Sequence, residues 1–169
     1  PAMSSPASAS MGGVALCLAG LPNFLETTAP GLRAHLFEPL DAEVFAYVPW
    51  SPRARGFDAR LLGPRMIAIH REVENISAQL RAGARISWWR AAARLPGNWL
   101  GCWTAEGETR RRDGSGLCLA YAWRRCLQMI EARELTRGGR YDLVVQSRPD
   151  LVWGEPHPPA SHLAARAAV

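Results

Sequence analysis

The chain has no lysine: all 20 of its basic Lys/Arg positions are arginine. That excludes Schiff-base chemistry on a lysine amine. It also places the whole basic charge, net +5, on guanidinium groups that stay protonated and grip phosphate with two parallel donors. A GC-rich genome favours the same residue, so the charge alone names no ligand. Cysteine is scarce. The four present (Cys17, Cys102, Cys118 and Cys126) show no C-x-x-C spacing, which excludes the common zinc motifs. Buried free thiols are the default expectation for them, and their even number also permits disulfides in an oxidising compartment. No run approaches the roughly 20 apolar residues that cross a bilayer. Val14 to Leu21 is apolar but lacks a preceding cationic segment, so it reads as a buried strand rather than a signal peptide. The G-x-S-x-G, H-E-x-x-H and G-x-x-x-x-G-K-[ST] patterns are absent, which leaves hydrolase-elbow, zincin and P-loop chemistry without a motif.

What is present suits one globular domain. A length of 169 residues with 48% hydrophobic content is enough for a real core. Residues 1–11 are rich in Pro, Ser and Ala and read as a flexible leader; 12–159 form the domain; 160–169 read as an unstructured or truncated alanine-rich tail. VALCLAG suits a central strand of a parallel sheet. A helix follows, capped by Thr27 or Thr28, with Pro30 in its first turn and Pro39 at its end. Glu43 to Val48 reads as a second strand and Met66 to Ile69 as a third. Glu72 to Arg81 has a helical apolar face, and 84–115 reads as irregular. From Ser115 or Gly116 to Gly138-Gly139 a long helix is predicted, with Leu119, Trp123, Cys126, Leu127 and Ile130 on its apolar face. YDLVVQS, residues 141–147, is the last strand. The order is β-α-β first and α-β last, the pattern of a layered α/β domain.

Two segments carry candidate chemistry. Tyr141 to His157, YDLVVQSRPDLVWGEPH, delivers Arg148 and Asp150 at a strand's carboxyl end, where open α/β sheets bind ligands. An arginine and a carboxylate there would either neutralise a diphosphate or pair with each other across a turn. Asp113-Gly114-Ser115-Gly116, after the Arg110–Arg112 run, precedes the long helix. Backbone amides there would hold an anion, or Ser115 would simply cap the helix. His157 fits a base, a ligand or a turn; His35 and His70 read as surface or packing residues. The tryptophans read as core or partner contacts rather than stacking platforms.

The segments VALCLAG, RDGSGLCLAYAWRRCLQMIEARE and YDLVVQSRPDLVWGEPHPP together resemble an uncharacterised plant and algal family with glycosyltransferase-like domains. More distantly they are similar to bacterial polysaccharide-synthesis proteins with a Y-D-x-V-x-R-x-R-x-D segment. The likeness spans most of residues 13–159 and is most specific in the last third. It implies a GT-A-type, Rossmann-like α/β sheet with flanking helices, incomplete at the carboxyl terminus, that binds a nucleotide-diphosphate sugar. By position, Gly20 would lie beside the nucleotide. Gly114, Ser115 and Gly116 would shape the donor pocket, Arg148 would neutralise phosphate, and Asp150 would hold diphosphate or a Mn²⁺ or Mg²⁺ ion. Leu151 and Val152 follow Asp150, so the second carboxylate of the D-x-D pattern is missing; one Asp would hold a metal only with water and phosphate ligands. The implied activity is sugar transfer to a glycan or protein acceptor that the residues do not name. No residue stands out as the catalytic base, and the resemblance places the family in the secretory pathway or Golgi. The alternative is a catalytically inactive fragment of the same fold that binds without turnover. A nucleic-acid-binding module ranks below both, because the arginines are interleaved with acids along the chain.

Overall fold

The computed structural model describes residues 12–49, 57–72 and 116–167. Four parallel strands form one sheet: β1 (Val14–Ala19), β2 (Glu43–Val48), β3 (Met66–Arg71) and β4 (Leu143–Ser147), in the order β3-β2-β1-β4. β1 is buried at all of its positions, as a strand hydrogen-bonded on both edges and covered on both faces must be. Its alternation sorts side chains by size. Val14, Leu16 and Leu18 face one layer, whereas Ala15, Cys17 and Ala19 face the other.

The large-residue face is covered by α1 (Leu25–Leu32), which runs on as a π-helical turn over Arg33–Phe37 and a last turn over Glu38–Leu40. Leu25, Ala29, Leu32 and Leu36 contribute its inward stripe. The start and end of this element differ from the sequence expectation. Neither Thr27 nor Thr28 is the cap: Phe24 holds that place in the left-handed region, and Thr28 is buried inside the helix. Thr28 has a tertiary partner instead, its Oγ1 donating to the Pro149 carbonyl at 2.7 Å. Pro39 falls within the final turn, where Pro is tolerated near a helix start, and Asp41 in the left-handed region ends it.

The small-residue face is covered by α2 (Gly116–Arg137). Cys118, Ala122, Cys126 and Ile130 are its buried stripe. Trp123 and Leu127, expected inward, are 37% and 38% exposed. The reason is steric: Ala15, Cys17 and Ala19 let the helix lie close to the sheet, and its small residues meet them, leaving no room for an indole. A disulfide joins Cys17 to Cys126, with Cα atoms 5.9 Å apart, so these cysteines are not the free thiols expected by default. Cys118 is disulfide-bonded as well. At the far end of α2, Arg133 forms a two-pronged pair with Glu43, and the Tyr141 hydroxyl donates to the same carboxylate. Arg133 is the main cause that holds the Glu43 carboxyl below the ordinary carboxylate range.

The last strand begins at Leu143 rather than Tyr141, because Tyr141 turns into the α2 layer. Residues 148–159 then cross the α1 layer. The His157 amide donates to the His35 carbonyl at 2.7 Å, and Gly31 makes room for Trp153, whose carbonyl oxygen would lie 3.2 Å from an added Cβ. The tail read as unstructured forms α3 (Ala160–Ala167), with Ala160 and Leu163 packed on the α1-side core. The expected helix over 72–81 falls, beyond Glu72, outside the described residues, as does the irregular 84–115 stretch.

The Cys17–Cys126 bridge closes a loop of 109 residues, so loop-closure entropy assigns it about 4–5 kcal/mol of stability. The C17A/C126A double variant should lose stability of that order in urea unfolding, and non-reducing peptide mapping of the wild type should recover a 17–126 link.

Candidate functional site

The chain leaves β1 toward β2 and β3 on one side and returns to pair β4 on the other. In a parallel sheet such a reversal opens a crevice at the carboxyl ends of the two strands flanking it. Here those ends are Ala19-Gly20 and Ser147-Arg148, held level by the Leu18–Ser147 register.

Gly20 has φ 145°, and a Cβ there would lie 3.4 Å from Pro149 Cδ. A side chain at position 20 would therefore be strained by its backbone and would pack directly against Pro149. Pro149 is fixed from the other side by Thr28, so the Arg-Pro-Asp turn is clamped between β1 and α1. Arg148 donates from Nε to Asp150 Oδ1 at 2.9 Å and from Nη2 to Oδ2 at 2.5 Å. The arginine side chain is 58% exposed and the aspartate 20%. A guanidinium has five N–H donors, so this pairing orients Arg148 while leaving donors for a ligand. Ser147 is buried, and its Oγ meets no hydrogen-bond partner among the described residues. By its alternation with Leu143 and Val145, Ser147 lies on the α1 side of β4, beneath the rim.

The fold thus brings Gly20, Arg148 and Asp150 together. Gly116 starts α2, whose first turns lie toward the same rim, because Tyr121 meets Tyr47 at the end of β2 while Arg133 meets Glu43 at its beginning. Gly114 and Ser115 lie outside the described residues. The donor set does not fit a protein-held divalent cation: both Asp150 oxygens accept from Arg148, and among the described residues no three His, Cys, Asp or Glu side chains cluster to hold a metal.

Next to the crevice, a cleft of about 390 Å³ lies between the β1–α1 turn and the crossover into β3. It is lined by Asn23, Phe24 and Glu26 from one side of the chain and Phe57, Asp58 and Leu61 from the other. Asp58 caps the 3₁₀ turn Ala59–Leu62 and pairs with Arg60, which keeps its carboxyl below the ordinary range.

A second polar group sits at the carboxyl ends of β2 and β3, under α2. Glu72 accepts from the Tyr47 hydroxyl at 3.1 Å and lies 3.2 Å from His70 Nε2. Arg125 Nη2 approaches the same nitrogen at 3.4 Å, and the His70 ring stacks on Tyr47. Burial, reinforced by Glu72, pushes the Tyr47 hydroxyl pKa far up, so it stays a proton donor. Sequence reasoning placed His70 among surface or packing residues and passed over Tyr47, Glu72 and Arg125. The legible signal was that Tyr47 ends one strand and His70 and Glu72 end the next, on the rim where parallel sheets place ligands.

No protein-family model, curated protein or solved structure matches the chain, so the reading rests on this geometry. No helix among the described residues is long and apolar enough to cross a membrane.

Because the Ser147 hydroxyl is buried without a partner among the described residues, Ser147→Ala should leave the protein as stable as wild type or up to about 1 kcal/mol more stable in urea unfolding. A loss of more than about 1 kcal/mol would mean that the hydroxyl is satisfied in the fold.

Proposed function

We propose that the domain binds a nucleotide-diphosphate sugar in the β1–β4 crevice and belongs among GT-A-type glycosyltransferase domains. The single observation that carries this reading is the strand reversal at β1, with Gly20 and the Arg148–Asp150 pair on its carboxyl rim. A diphosphate brings charge and acceptor oxygens to a rim that offers the exposed Arg148 guanidinium with donors to spare. Asp150 positions Arg148, and the diphosphate is neutralised by arginine rather than by a cation held on Asp150. In sugar transfer the bond from the anomeric carbon to the diphosphate breaks and the leaving group takes the electron pair. Stabilising that charge is the task assigned to Arg148. The Cys17–Cys126 disulfide agrees with maturation in an oxidising compartment such as the secretory lumen.

The pairing of Asp150 with Arg148 favours a second reading, donor binding without transfer, since it occupies the one carboxylate of the Arg-Pro-Asp turn. Assay of released nucleoside diphosphate, with and without candidate acceptors, separates the two.

Thermal-shift titration with UDP, GDP and their sugars tests the donor site, because a ligand that binds only the native state raises its melting temperature. Wild type should shift with at least one of them, and the shift should persist in EDTA. Arg148→Ala should weaken it at least about tenfold, the loss of one charge-assisted contact of about 1.5–3 kcal/mol. Absence of any shift on folded wild-type protein would reject the donor-binding reading.

A further inference from the structure

Phe24 is placed as no folding requirement would place it. It adopts φ 58°, ψ 27° at the cap of α1, a region that bulky residues avoid and that Gly and Asn occupy readily. The work done at this position is backbone work. Its carbonyl accepts from the Thr27 and Thr28 amides at 2.9 and 3.0 Å and from the Thr28 hydroxyl at 3.3 Å. The side chain makes no capping bond and is 78% exposed. Asn or Gly would serve the helix start at lower strain. The ring is therefore extra to the fold, and it lines the 390 Å³ cleft together with Phe57, whose own ring has the Arg71 guanidinium 5.8 Å from its centroid.

From this we infer that the cleft takes a planar heteroaromatic ring, the base of a nucleotide, stacked on Phe24. The inference rests on the donor-binding reading for the remainder of the ligand: the turn from Gly20 to Phe24 runs from the carboxyl end of β1 to the cleft, so the phosphates would lie at the other end of that short segment. Volume agrees, since clefts that hold small ligands begin at about 300 Å³. So does chemistry: an exposed aromatic face favours a base whatever its hydrogen-bonding edge, and the Asn23 amide offers both donor and acceptor beside it. The Glu26 and Asp58 carboxylates on the same lining accept from a base's N–H groups and repel its phosphates from the cleft. Strain at Phe24 is then the mark of a ligand contact, as backbone outliers at binding sites commonly are.

The test compares wild type with Phe24→Asn and Phe24→Tyr, titrated with UDP, GDP, uridine, guanosine and inorganic pyrophosphate by calorimetry. Phe24→Asn should melt no lower than wild type. It should bind the tighter nucleoside diphosphate at least about tenfold more weakly, the usual scale of a lost base stack, and pyrophosphate unchanged. Phe24→Tyr keeps the ring and should retain affinity, which guards against a general effect of substitution. Equal nucleotide affinity in wild type and Phe24→Asn would overturn the stacking role while leaving the crevice reading intact. Nucleoside binding that depends on Phe24, with no gain from phosphates and no pyrophosphate binding, would keep the clamp and reject the diphosphate site. Absence of binding by any of these probes would reject both. A melting temperature well below wild type in Phe24→Asn, with Phe24→Tyr normal, would mean that the ring is structural and would also overturn the inference.

Discussion

β1 carries hydrogen bonds on both edges and packed side chains on both faces, and the rest of the domain is arranged around that constraint. A strand so placed must be apolar throughout, which VALCLA is. Because its partners come from opposite ends of the chain, β2 soon after it and β4 far beyond, the crevice between β1 and β4 is a consequence of where the chain doubles back. The size sorting along β1 decides the layers: leucines and valine toward α1, alanines and cysteine toward α2. The Cys17–Cys126 bridge then fastens the central strand to the helix that its small residues admitted.

Much of this was legible from residues alone, for definable reasons. Continuous apolar runs ended by Gly or Pro marked β1 and β2, and the YDLVVQS run marked β4 but for its first two residues. The long helix was visible from its period, and Cys126 and Ile130 are buried as expected, but Trp123 and Leu127 are not. Hydrophobicity draws Trp123 and Leu127 inward, whereas the close approach demanded by Ala15, Cys17 and Ala19 selects Ala122 and Cys126. That is a property of the facing strand, and no reading of the helix alone contains it. The disulfide was invisible for the same reason, since its partners are joined by the fold and not by spacing. The cap of α1 shows a different failure: Thr27 and Thr28 carry the capping preference, but Thr28 is drawn inside the helix to hold Pro149.

The candidate site shows the same division. Arg148 and Asp150 were singled out because strand ends in parallel sheets gather ligands, and Gly20 by resemblance alone; the fold sets all three at the carboxyl ends of β1 and β4. Of the two alternatives open for Arg148 and Asp150, the fold shows the pair: both aspartate oxygens accept from the guanidinium. The sequence could not show that Phe24 is strained and exposed at the mouth of a cleft. An exposed arginine at the carboxyl rim and an exposed aromatic ring at the neighbouring cleft are the two features on which the proposed nucleotide site rests. The Tyr47–His70–Glu72–Arg125 group stands apart, under α2 at the ends of β2 and β3, and braces the helix against the edge of the sheet.

The most direct measurement is amide hydrogen exchange of the folded wild-type protein with and without saturating UDP or GDP. The account predicts slowed exchange in peptides covering residues 20–28 and 147–151, with the amino-terminal ends of the strands unchanged. A footprint confined to the opposite rim, around Glu131 to Arg140, or no footprint with either nucleotide, would contradict it.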